Sequence, residues 1–119
     1  MYTSSTLALA TLELFVHLDP SEIPGDFVAI PADIPASVEI ARIRPAQLPT
    51  DWRRYPALQT LADTGTRWAR EGKTAVLAVP SAVIPFEANY LLNPLRPAFR
   101  QIRIGKPQPF RFDPRMLKR

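Results

Sequence analysis

The sequence predicts a small α+β domain in which a mixed sheet of short strands is flanked by two helices. Three observations predict this class. The chain has 119 residues, which suits one domain. Its composition, 46% hydrophobic and 22% charged, can build a packed core. Fourteen prolines beside only four glycines limit the length of every helix and strand.

Two segments have the spacing of helices. Residues 5–18 carry apolar side chains on nearly all sides, so we expect a buried helix that begins at Ser4 or Ser5 and is stopped by Pro20. Residues 58–70 place their apolar side chains on one side, which predicts a second helix. Two helices among short strands favour the α+β class over an all-helical one.

Short apolar runs predict the strands. The run at 75–79 is continuously apolar and ends before Pro80, as expected of a central strand. The segment 81–94 is predicted to be mostly loop. The other four predicted strands are residues 27–31, 38–43, 99–104 and 110–112.

The composition excludes several classes of site. The chain has no cysteine, which excludes disulfides, thiolate zinc sites, iron–sulfur clusters and a cysteine nucleophile. The lone histidine, His17, argues against a histidine-built metal centre. The glycine-rich loops of Rossmann and P-loop nucleotide sites are absent from the sequence. No apolar run reaches the roughly 18 residues of a membrane span and no basic secretory signal is found, so we expect a cytoplasmic protein without membrane contact.

The charge balance is mildly basic. The net charge is +4, the pI is near 10.0, and arginine outnumbers lysine 12 to 3. The planar fork of arginine suits carboxylates and phosphates, which favours an anionic small molecule or an acidic protein partner. The basic residues are scattered, so we expect no direct nucleic-acid binding. Four late arginines are interpreted as a solvated outward face, at positions 100, 103, 111 and 115.

Glu13 is the most informative residue, because it is the only charged side chain between Tyr2 and Leu18. Burying a lone carboxylate costs several kcal/mol unless it is paired or protonated. Two interpretations stay open. Glu13 either lies on a wet stripe of its helix, paired with His17 one turn later, or stands at the floor of a cleft. His17 taken alone is interpreted as structural.

Three polar residues accompany the predicted central strand. Ser81 follows its end, where backbone and side chain are both presented at a sheet edge, although a turn or cap serine is the simpler interpretation. No G-x-S-x-G surrounds it, which argues against a hydrolase nucleophile. Asn89 lies between apolar segments and offers both donors and acceptors. Asn93 precedes Pro94 and is interpreted as a turn residue.

Several of these segments together resemble the RES domain, the toxin of a bacterial toxin–antitoxin system. The resemblance begins at Tyr2-Thr3-Ser4, continues through Leu12-Glu13 and Val16-His17-Leu18, and includes Leu48-Pro49, Trp52, Gly65 and Trp68. Its strongest parts are residues 79–83 (VPSAV), 89–94 (NYLLNP) and 110–115 (FRFDPR). Each piece is short, but their order and spacing over nearly the whole chain make the resemblance specific.

The resemblance implies an ADP-ribosyltransferase-like fold and site residues. Glu13 and Ser81 match the glutamate and serine of the family's name, and we take them as catalytic candidates. Tyr2 and Asn89 match residues of its cleft, and we take them as substrate-binding candidates. The family's arginine lies upstream of the tyrosine, in a segment that this chain does not contain. We therefore interpret residues 1–119 as the C-terminal three-quarters of a RES domain.

By resemblance, the implied activity is cleavage of the nicotinamide–ribose bond of NAD⁺, with NAD⁺ as substrate and no cofactor. Glu13 would stabilise positive charge on ribose and hold one of its hydroxyls, and Ser81 and Asn89 would orient ribose or the nicotinamide amide. The implied partner is an Xre-type antitoxin, and the resemblance is compatible with an oligomeric toxin–antitoxin complex. Two alternatives stay open: an inactive remnant that only binds antitoxin, and a protein ADP-ribosyltransferase.

Overall fold

The computed structural model describes residues 1–19, 21 and 25–117, and these form an α+β fold of short strands and two helices. In chain order the elements are β1 (Tyr2–Ser4), α1 (Leu7–Phe15), β2 (Phe27–Ala29), β3 (Ala32–Asp33), β4 (Ile40–Arg42), α2 (Gln59–Glu71), β5 (Val76–Pro80), β6 (Ala88–Leu92), β7 (Arg103–Ile104) and β8 (Gln108–Phe110). Short 3₁₀ turns lie at Pro45–Gln47, Pro97–Gln101 and Pro114–Leu117. The predicted fold class is confirmed.

A mixed four-stranded sheet organises the fold, in the order β1-β6-β5-β4. Strand β5 is central: it pairs in parallel with β4 and antiparallel with β6, as its apolar run predicts. Strand β1 closes one edge by pairing antiparallel with β6, with Tyr2 opposite Leu91 and Ser4 opposite Asn89. Two further antiparallel pairs, β2 with β8 and β3 with β7, complete the strands.

The two faces of the sheet differ in what they pack against. Alternate side chains of a strand point to opposite faces, and Val76 and Leu92 share the face that packs into the buried core with Val38, Ala75 and Ile102. The other face carries Asn89 and Leu91, which lie opposite Ser4 and Tyr2. Helix α2 packs closely on this second face, because a Cβ added at Gly65 would lie 3.6 Å from Leu91 Cδ1.

Helix α1 is shorter than predicted. It begins at Leu7, with Thr6 as the cap that accepts a hydrogen bond from the Leu9 N–H at 3.0 Å, because Ser4 is already paired in β1. It ends at Phe15, where the chain tightens into i→i+3 hydrogen bonds from His17 and Leu18. Pro20, the predicted stop, lies outside the described residues.

The expectation that α1 is buried was also wrong. Only Leu9 is fully buried, whereas Leu7 is 53% exposed and Val16 is 55% exposed. One side of α1 packs on the sheet and another lines an open cleft, so an all-round apolar pattern overstates its burial. Helix α2 confirms the prediction of residues 58–70 within one residue at each end, and it stops at Gly72, whose φ of 62° is left-handed.

The largest error concerns the segment 81–94, which was predicted to be loop. Residues Ala88–Leu92 form β6, the strand between β1 and β5. Strand β1 was missed as well, since three residues carry no clear alternation and their partner lies 87 positions away in the sequence. Because β1 pairs with β6 in the sheet, missing β6 also left β1 without its partner.

The C-terminal predictions hold only in part. Residues 99–104 were predicted as one strand, but Pro97–Gln101 form a 3₁₀ turn and only Arg103–Ile104 pair as a strand. The last strand lies at Gln108–Phe110 and not at 110–112. Phe112 is instead buried beyond it, with its ring centroid 5.9 Å from Phe15 and 5.2 Å from Phe27. The predicted strands at 27–31 and 38–43 are present but shortened to three residues each.

No helix among residues 1–19, 21 and 25–117 combines the length and the apolar character that crossing a bilayer requires.

Candidate active site

Four separate pieces of the chain converge on one point of the sheet. Strand β1 brings Tyr2 and Ser4, α1 brings Glu13, the end of β5 brings Ser81, and β6 brings Asn89. Asn89 is fully buried and stands opposite Ser4 on one side and Val79 on the other. The structure therefore brings together all four residues that the sequence suggested, Tyr2, Glu13, Ser81 and Asn89.

Glu13 is the centre of this cluster, and its two oxygens differ. Oε1 accepts two hydrogen bonds, from Ser81 Oγ at 2.7 Å and from Asn89 Nδ2 at 2.8 Å. No residue in the described part of the chain donates to Oε2. Every buried side-chain oxygen in that part has a hydrogen-bond partner, so Oε2, which has none, is not a buried atom. One oxygen is thus held by the protein while the other is free to meet a ligand. This favours the cleft interpretation of Glu13 over the solvated stripe.

Ser81 is arranged to hold Glu13. Its hydroxyl oxygen accepts from the backbone N–H groups of Val83 and Ile84 at 3.1 and 3.0 Å, and its proton is donated to Glu13. The side chain is fully buried. Because the oxygen accepts from two N–H groups, both of its lone pairs are engaged and none is presented to a substrate. The hydrogen bonds from Val83 and Ile84 fit the interpretation of Ser81 as a turn serine, and the hydrogen bond to Glu13 ties that turn to the cluster.

The side chain of Asn89 is also engaged in hydrogen bonds within the cluster. Its Nδ2 donates to Glu13 Oε1 and to the Tyr2 hydroxyl at 2.6 Å, and its Oδ1 accepts from the Ser4 hydroxyl at 2.8 Å. Ser81 and Asn89 are both fully buried, and each donates to Glu13 Oε1. The expected direct contact of these two side chains with ribose or nicotinamide stays a prediction. Their position is that of residues that orient the carboxylate.

Ser4 is a member of the cluster that the sequence reasoning did not single out. The signal was present, because Tyr2 and Ser4 are two residues apart and must share a face if the segment is a strand. It could be used only once residues 2–4 were known to be a strand.

Tyr2 is exposed as a residue, at 60%, but its hydroxyl lies within the cluster. Desolvation of the hydroxyl, with a smaller contribution from the negative charge of Glu13, raises the pKa of Tyr2 to about 12, although the hydrogen bond from Asn89 acts in the opposite direction. Tyr2 is therefore neutral at physiological pH. Its oxygen accepts from Asn89, so its own proton is available to an acceptor in the cleft.

His17 does not pair with Glu13 as one interpretation expected. The i+4 relation is lost because the helix ends at Phe15 and tightens, and Glu13 is turned toward the sheet. The His17 ring instead lies tilted against Tyr55, with centroids 6.5 Å apart. Its side chain lines the cleft next to Glu13.

An open cleft of about 380 Å³ gives access to the cluster. It lies between β1 and one stripe of α1, and its lining consists of Tyr2, Thr3, Ser4, Ala10, Glu13, Leu14 and His17. Glu13 and Leu14 lie three and four residues after Ala10, so these three form one side of α1, and His17 follows the end of the helix. Apolar walls around a single free carboxylate oxygen suit a ligand that is apolar in part and develops positive charge near Glu13.

The sequence was also compared with models of known protein families. The RES domain model matches residues 1–113, which is nearly the whole chain and includes every residue of the cluster. The chain belongs to the RES domain family. The family resemblance inferred from residues 79–83, 89–94 and 110–115 is thereby confirmed.

Three relatives of this chain carry names that describe them as toxins. A protein of Sphingobium sp. (strain YBL2) named "Prs ADP-ribosylating toxin" is 36% identical over 100% of this chain and 75% of its own length. A "Toxin Res" of Yersinia enterocolitica is 37% identical over 98% of this chain and 76% of its own. A "Toxin Res" of Photorhabdus laumondii is 32% identical over 99% of this chain and 76% of its own.

The remaining candidates lie away from the cluster. The arginines at positions 100, 103, 111 and 115 are exposed, as expected of a solvated face, and two of them form surface ion pairs. Arg111 contacts Asp26 at 3.1 Å and Arg115 contacts Asp113 at 2.8 Å. Asn93 occupies the predicted turn, with its Oδ1 accepting from the Leu95 N–H at 3.1 Å.

Replacing Ser4 by alanine is expected to lower the free energy of unfolding by about 1–3 kcal/mol, because it leaves the Oδ1 atom of a fully buried asparagine without its donor. Chemical denaturation monitored by circular dichroism measures the effect. Ser5→Ala is the matched control, since Ser5 is exposed and is expected to change stability by less than about 0.5 kcal/mol. Ser4→Thr, which keeps the hydroxyl, should restore most of the loss. Equal stability of the Ser4→Ala and Ser5→Ala variants would contradict the assignment.

Tyr2 is expected to remain protonated well above the pH at which an ordinary tyrosine ionises, because its pKa is raised from 10.0 to about 12. Because the pKa of Tyr2 is higher in the folded chain than in the unfolded chain, the stability that protonated Tyr2 contributes is complete below about pH 10. That contribution is lost as the pH rises toward 12. At about pH 10.5 the tyrosinate absorbance of the Tyr2→Phe variant should equal that of the original protein. Tyr55→Phe is the control for loss of an exposed phenol. A lower tyrosinate signal in Tyr2→Phe at that pH would overturn the expectation.

Proposed function

We propose that this RES domain acts as a toxin by cleaving the bond between nicotinamide and ribose in NAD⁺. The single observation that carries the proposal is the asymmetry of Glu13, which lines the cleft: Ser81 and Asn89 fix Oε1, while no described residue donates to Oε2. A fixed carboxylate with one free oxygen is what a reaction through a positively charged sugar needs.

The chemistry follows from the charge that develops. As the C1′–N1 bond breaks, nicotinamide leaves with the electron pair and the ribose becomes oxocarbenium-like. The Glu13 carboxylate stabilises that positive charge and holds a ribose hydroxyl through Oε2. Because Ser81 and Asn89 hold Oε1 in advance, the carboxylate does not need to reorient during the reaction, which is the condition under which such a group is most effective.

Tyr2 supplies a second contact in this proposal. Its hydroxyl accepts from Asn89 and so directs its own proton toward the cleft, where it donates to an oxygen of the substrate. Like an ordinary tyrosine, Tyr2 keeps that proton throughout the physiological range, and its raised pKa extends the protonated range to higher pH. The aromatic ring provides a flat apolar surface for stacking.

The acceptor of the ADP-ribose defines the reaction class. Attack by water on C1′ gives ADP-ribose, nicotinamide and one proton, and attack by inorganic phosphate gives a phosphorylated ADP-ribose. A second candidate is transfer to a protein side chain, and it is favoured by the relative named as an ADP-ribosylating toxin. All three share the first step at Glu13.

Incubating the purified chain with NAD⁺ and following nicotinamide by liquid chromatography tests the shared step. ADP-ribose in phosphate-free buffer indicates hydrolysis, a new phosphorylated product in phosphate buffer indicates phosphorolysis, and label from adenine-labelled NAD⁺ on an added cell lysate indicates protein transfer. Nicotinamide release no faster than that of the Glu13→Gln variant would contradict cleavage by this chain and favour the alternative of an inactive fold that only binds an antitoxin.

We further propose that an Xre-type antitoxin neutralises the domain by covering the cleft mouth. The basic net charge of +4 suits an acidic segment of such a partner and would speed its association at low salt. Hydrogen exchange on the complex of the chain with the product of the neighbouring gene should show new protection in α1 near Glu13. Protection only on the opposite face of the sheet, or no complex, would exclude occlusion of the cleft.

A further inference from the structure

The turn that carries Ser81 has an inner side and an outer side. On the inner side, the N–H groups of Val83 and Ile84 donate to Ser81 Oγ. In a trans peptide unit the carbonyl points opposite to the N–H, so the carbonyls of the same two units, those of Ala82 and Val83, point outward. The proposed role of Glu13 uses the inner side only.

Arg53 occupies the outer side of this turn. Its Nε donates to the Ala82 carbonyl at 2.9 Å, and its Nη2 donates to the Val83 carbonyl at 3.5 Å, the weaker of the two hydrogen bonds. Both donors belong to one planar guanidinium, so a single side chain spans two successive peptide units. No other residue in the described part of the chain donates to either carbonyl.

The backbone around Arg53 is itself fixed by two overlapping turns. The Trp52 N–H donates to the Pro49 carbonyl at 3.0 Å, and the Arg54 N–H donates to the Asp51 carbonyl at 2.9 Å. The guanidinium therefore extends from an ordered part of the chain that lies 29 positions before the turn it contacts.

Arg53 and Glu13 are the two ends of one continuous chain of hydrogen bonds. Arg53 Nε donates to the peptide unit of Ala82 and Val83, and the N–H of that unit donates to Ser81 Oγ. Ser81 in turn donates its proton to Glu13 Oε1 at 2.7 Å. A second branch runs from Nη2 through the next peptide unit to the same serine oxygen. Every bond points from the cation toward the carboxylate, and hydrogen bonds aligned in one direction polarise one another.

We propose that Arg53 is a positioning residue that fixes the Glu13 carboxylate through the Ser81 turn, an inference that rests on the proposed cleavage of NAD⁺ at Glu13. Arg53 does not belong to the lining of the cleft, so it acts on Glu13 and not on the substrate. Because Arg53 is exposed, water screens its charge and its contribution to the stability of the whole fold is small. Its effect is local, since it limits the geometries open to the turn and to the carboxylate oxygen that Ser81 holds.

Steady-state kinetics of nicotinamide release from NAD⁺ by the whole chain test the proposal. We expect Arg53→Gln to lower kcat by about fivefold to tenfold and to leave KM unchanged, because the reaction centre loses order while the substrate contacts remain. Arg53→Lys keeps the charge without the fork and should recover part of the rate. Arg54→Gln is the matched control: Arg54 is also exposed, contacts Asp51 at 4.0 Å, and should keep the rate within about twofold.

A double variant separates positioning from a general effect on the fold. In the Glu13→Gln background the charge that Arg53 positions is already absent, so adding Arg53→Gln should change the residual rate by less than about twofold. An equal loss of rate in both backgrounds would show that Arg53 does not act through Glu13, and would overturn the inference.

Hydrogen exchange of single amides, followed by NMR, gives a readout that does not depend on activity. The N–H groups of Val83 and Ile84 should exchange about tenfold faster in Arg53→Gln than in the original chain, because the turn that directs them to Ser81 Oγ opens more often. The same two amides should exchange at the original rate in Arg54→Gln.

The outcomes separate this inference from the proposed function. If NAD⁺ is cleaved and Arg53→Gln matches Arg54→Gln in kcat, the inference is overturned and cleavage stands. A lower kcat with unchanged exchange also overturns it, since the turn would not be the intermediary. If the chain does not cleave NAD⁺, the proposed function fails and exchange decides alone: faster exchange supports the hold of Arg53 on the turn, and unchanged exchange overturns it. Should Arg53→Gln not fold, Arg53→Lys carries the same measurements, and full rate with unchanged exchange overturns the inference.

Discussion

Replacing Glu13 by glutamine is expected to slow nicotinamide release from NAD⁺ by about 10²–10³-fold, the usual cost of removing one preorganised electrostatic group from a reaction centre. Glutamine has nearly the same shape, and its side-chain oxygen can still accept from Ser81 and Asn89. The fold should therefore persist while the negative charge is lost. Because that charge acts on the developing cation, the loss should appear in kcat more than in KM.

Glu39→Gln is the matched control for this experiment. Glu39 is exposed and lies before β4, outside the residues that line the cleft, so removing its charge should leave the rate within about twofold. Circular dichroism on both variants separates a lost reaction from a lost fold. Full activity of Glu13→Gln, with wild-type folding, would remove Glu13 from the mechanism.

Replacing Asn89 by aspartate is expected to destabilise the protein by about 3–5 kcal/mol at neutral pH. The change is nearly isosteric, but it substitutes a carboxylate oxygen for the Nδ2 donor that lies 2.8 Å from Glu13 Oε1. Two carboxylates would then face each other at a fully buried position, and the Tyr2 hydroxyl would lose its donor. Urea unfolding at pH 7 measures the change in the free energy of unfolding.

A double variant makes this prediction specific. Adding Glu13→Gln to Asn89→Asp removes the opposing charge and supplies a new donor, so it should recover a large part of the lost stability. The single and double variants form a cycle whose coupling free energy should be at least about 1 kcal/mol. Additive effects would mean that Asn89 and Glu13 do not interact in solution.

The parts that were predictable depend on local pattern. The lone carboxylate in the apolar segment 7–18 singled out Glu13, because burying it unpaired would be costly, although the sequence left both a solvated stripe and a cleft floor open. The continuous apolar run identified β5 as the central strand, and the amphipathic spacing identified α2 within one residue at each end. In each case the residues that define the element are close together in the sequence.

The contacts of Ser81 and Asn89 could not be predicted from the local sequence pattern. Their family resemblance marked them as important, but only their burial and hydrogen bonds place them behind Glu13. A serine after a strand and an asparagine among apolar residues give the same pattern whether they contact a ligand or support another side chain. The difference lies in which groups surround them, and those groups come from α1 and β1.

The sequence by itself determined the α+β class, the central strand, the second helix and the importance of Glu13, since these depend on composition and on neighbours within a few residues. The tertiary structure alone decided that Tyr2 and Ser4 form an edge strand, that residues 88–92 pair between it and β5, and that one oxygen of Glu13 is held while the other stays free. The physical reason is that the pairing of β1 with β6 and the hydrogen bonds of the cluster join groups more than 60 residues apart, as in Ser81 with Glu13 across 68 positions and Asn89 with Tyr2 across 87. Such partners are selected by the packing of the whole chain and leave no local periodicity to detect.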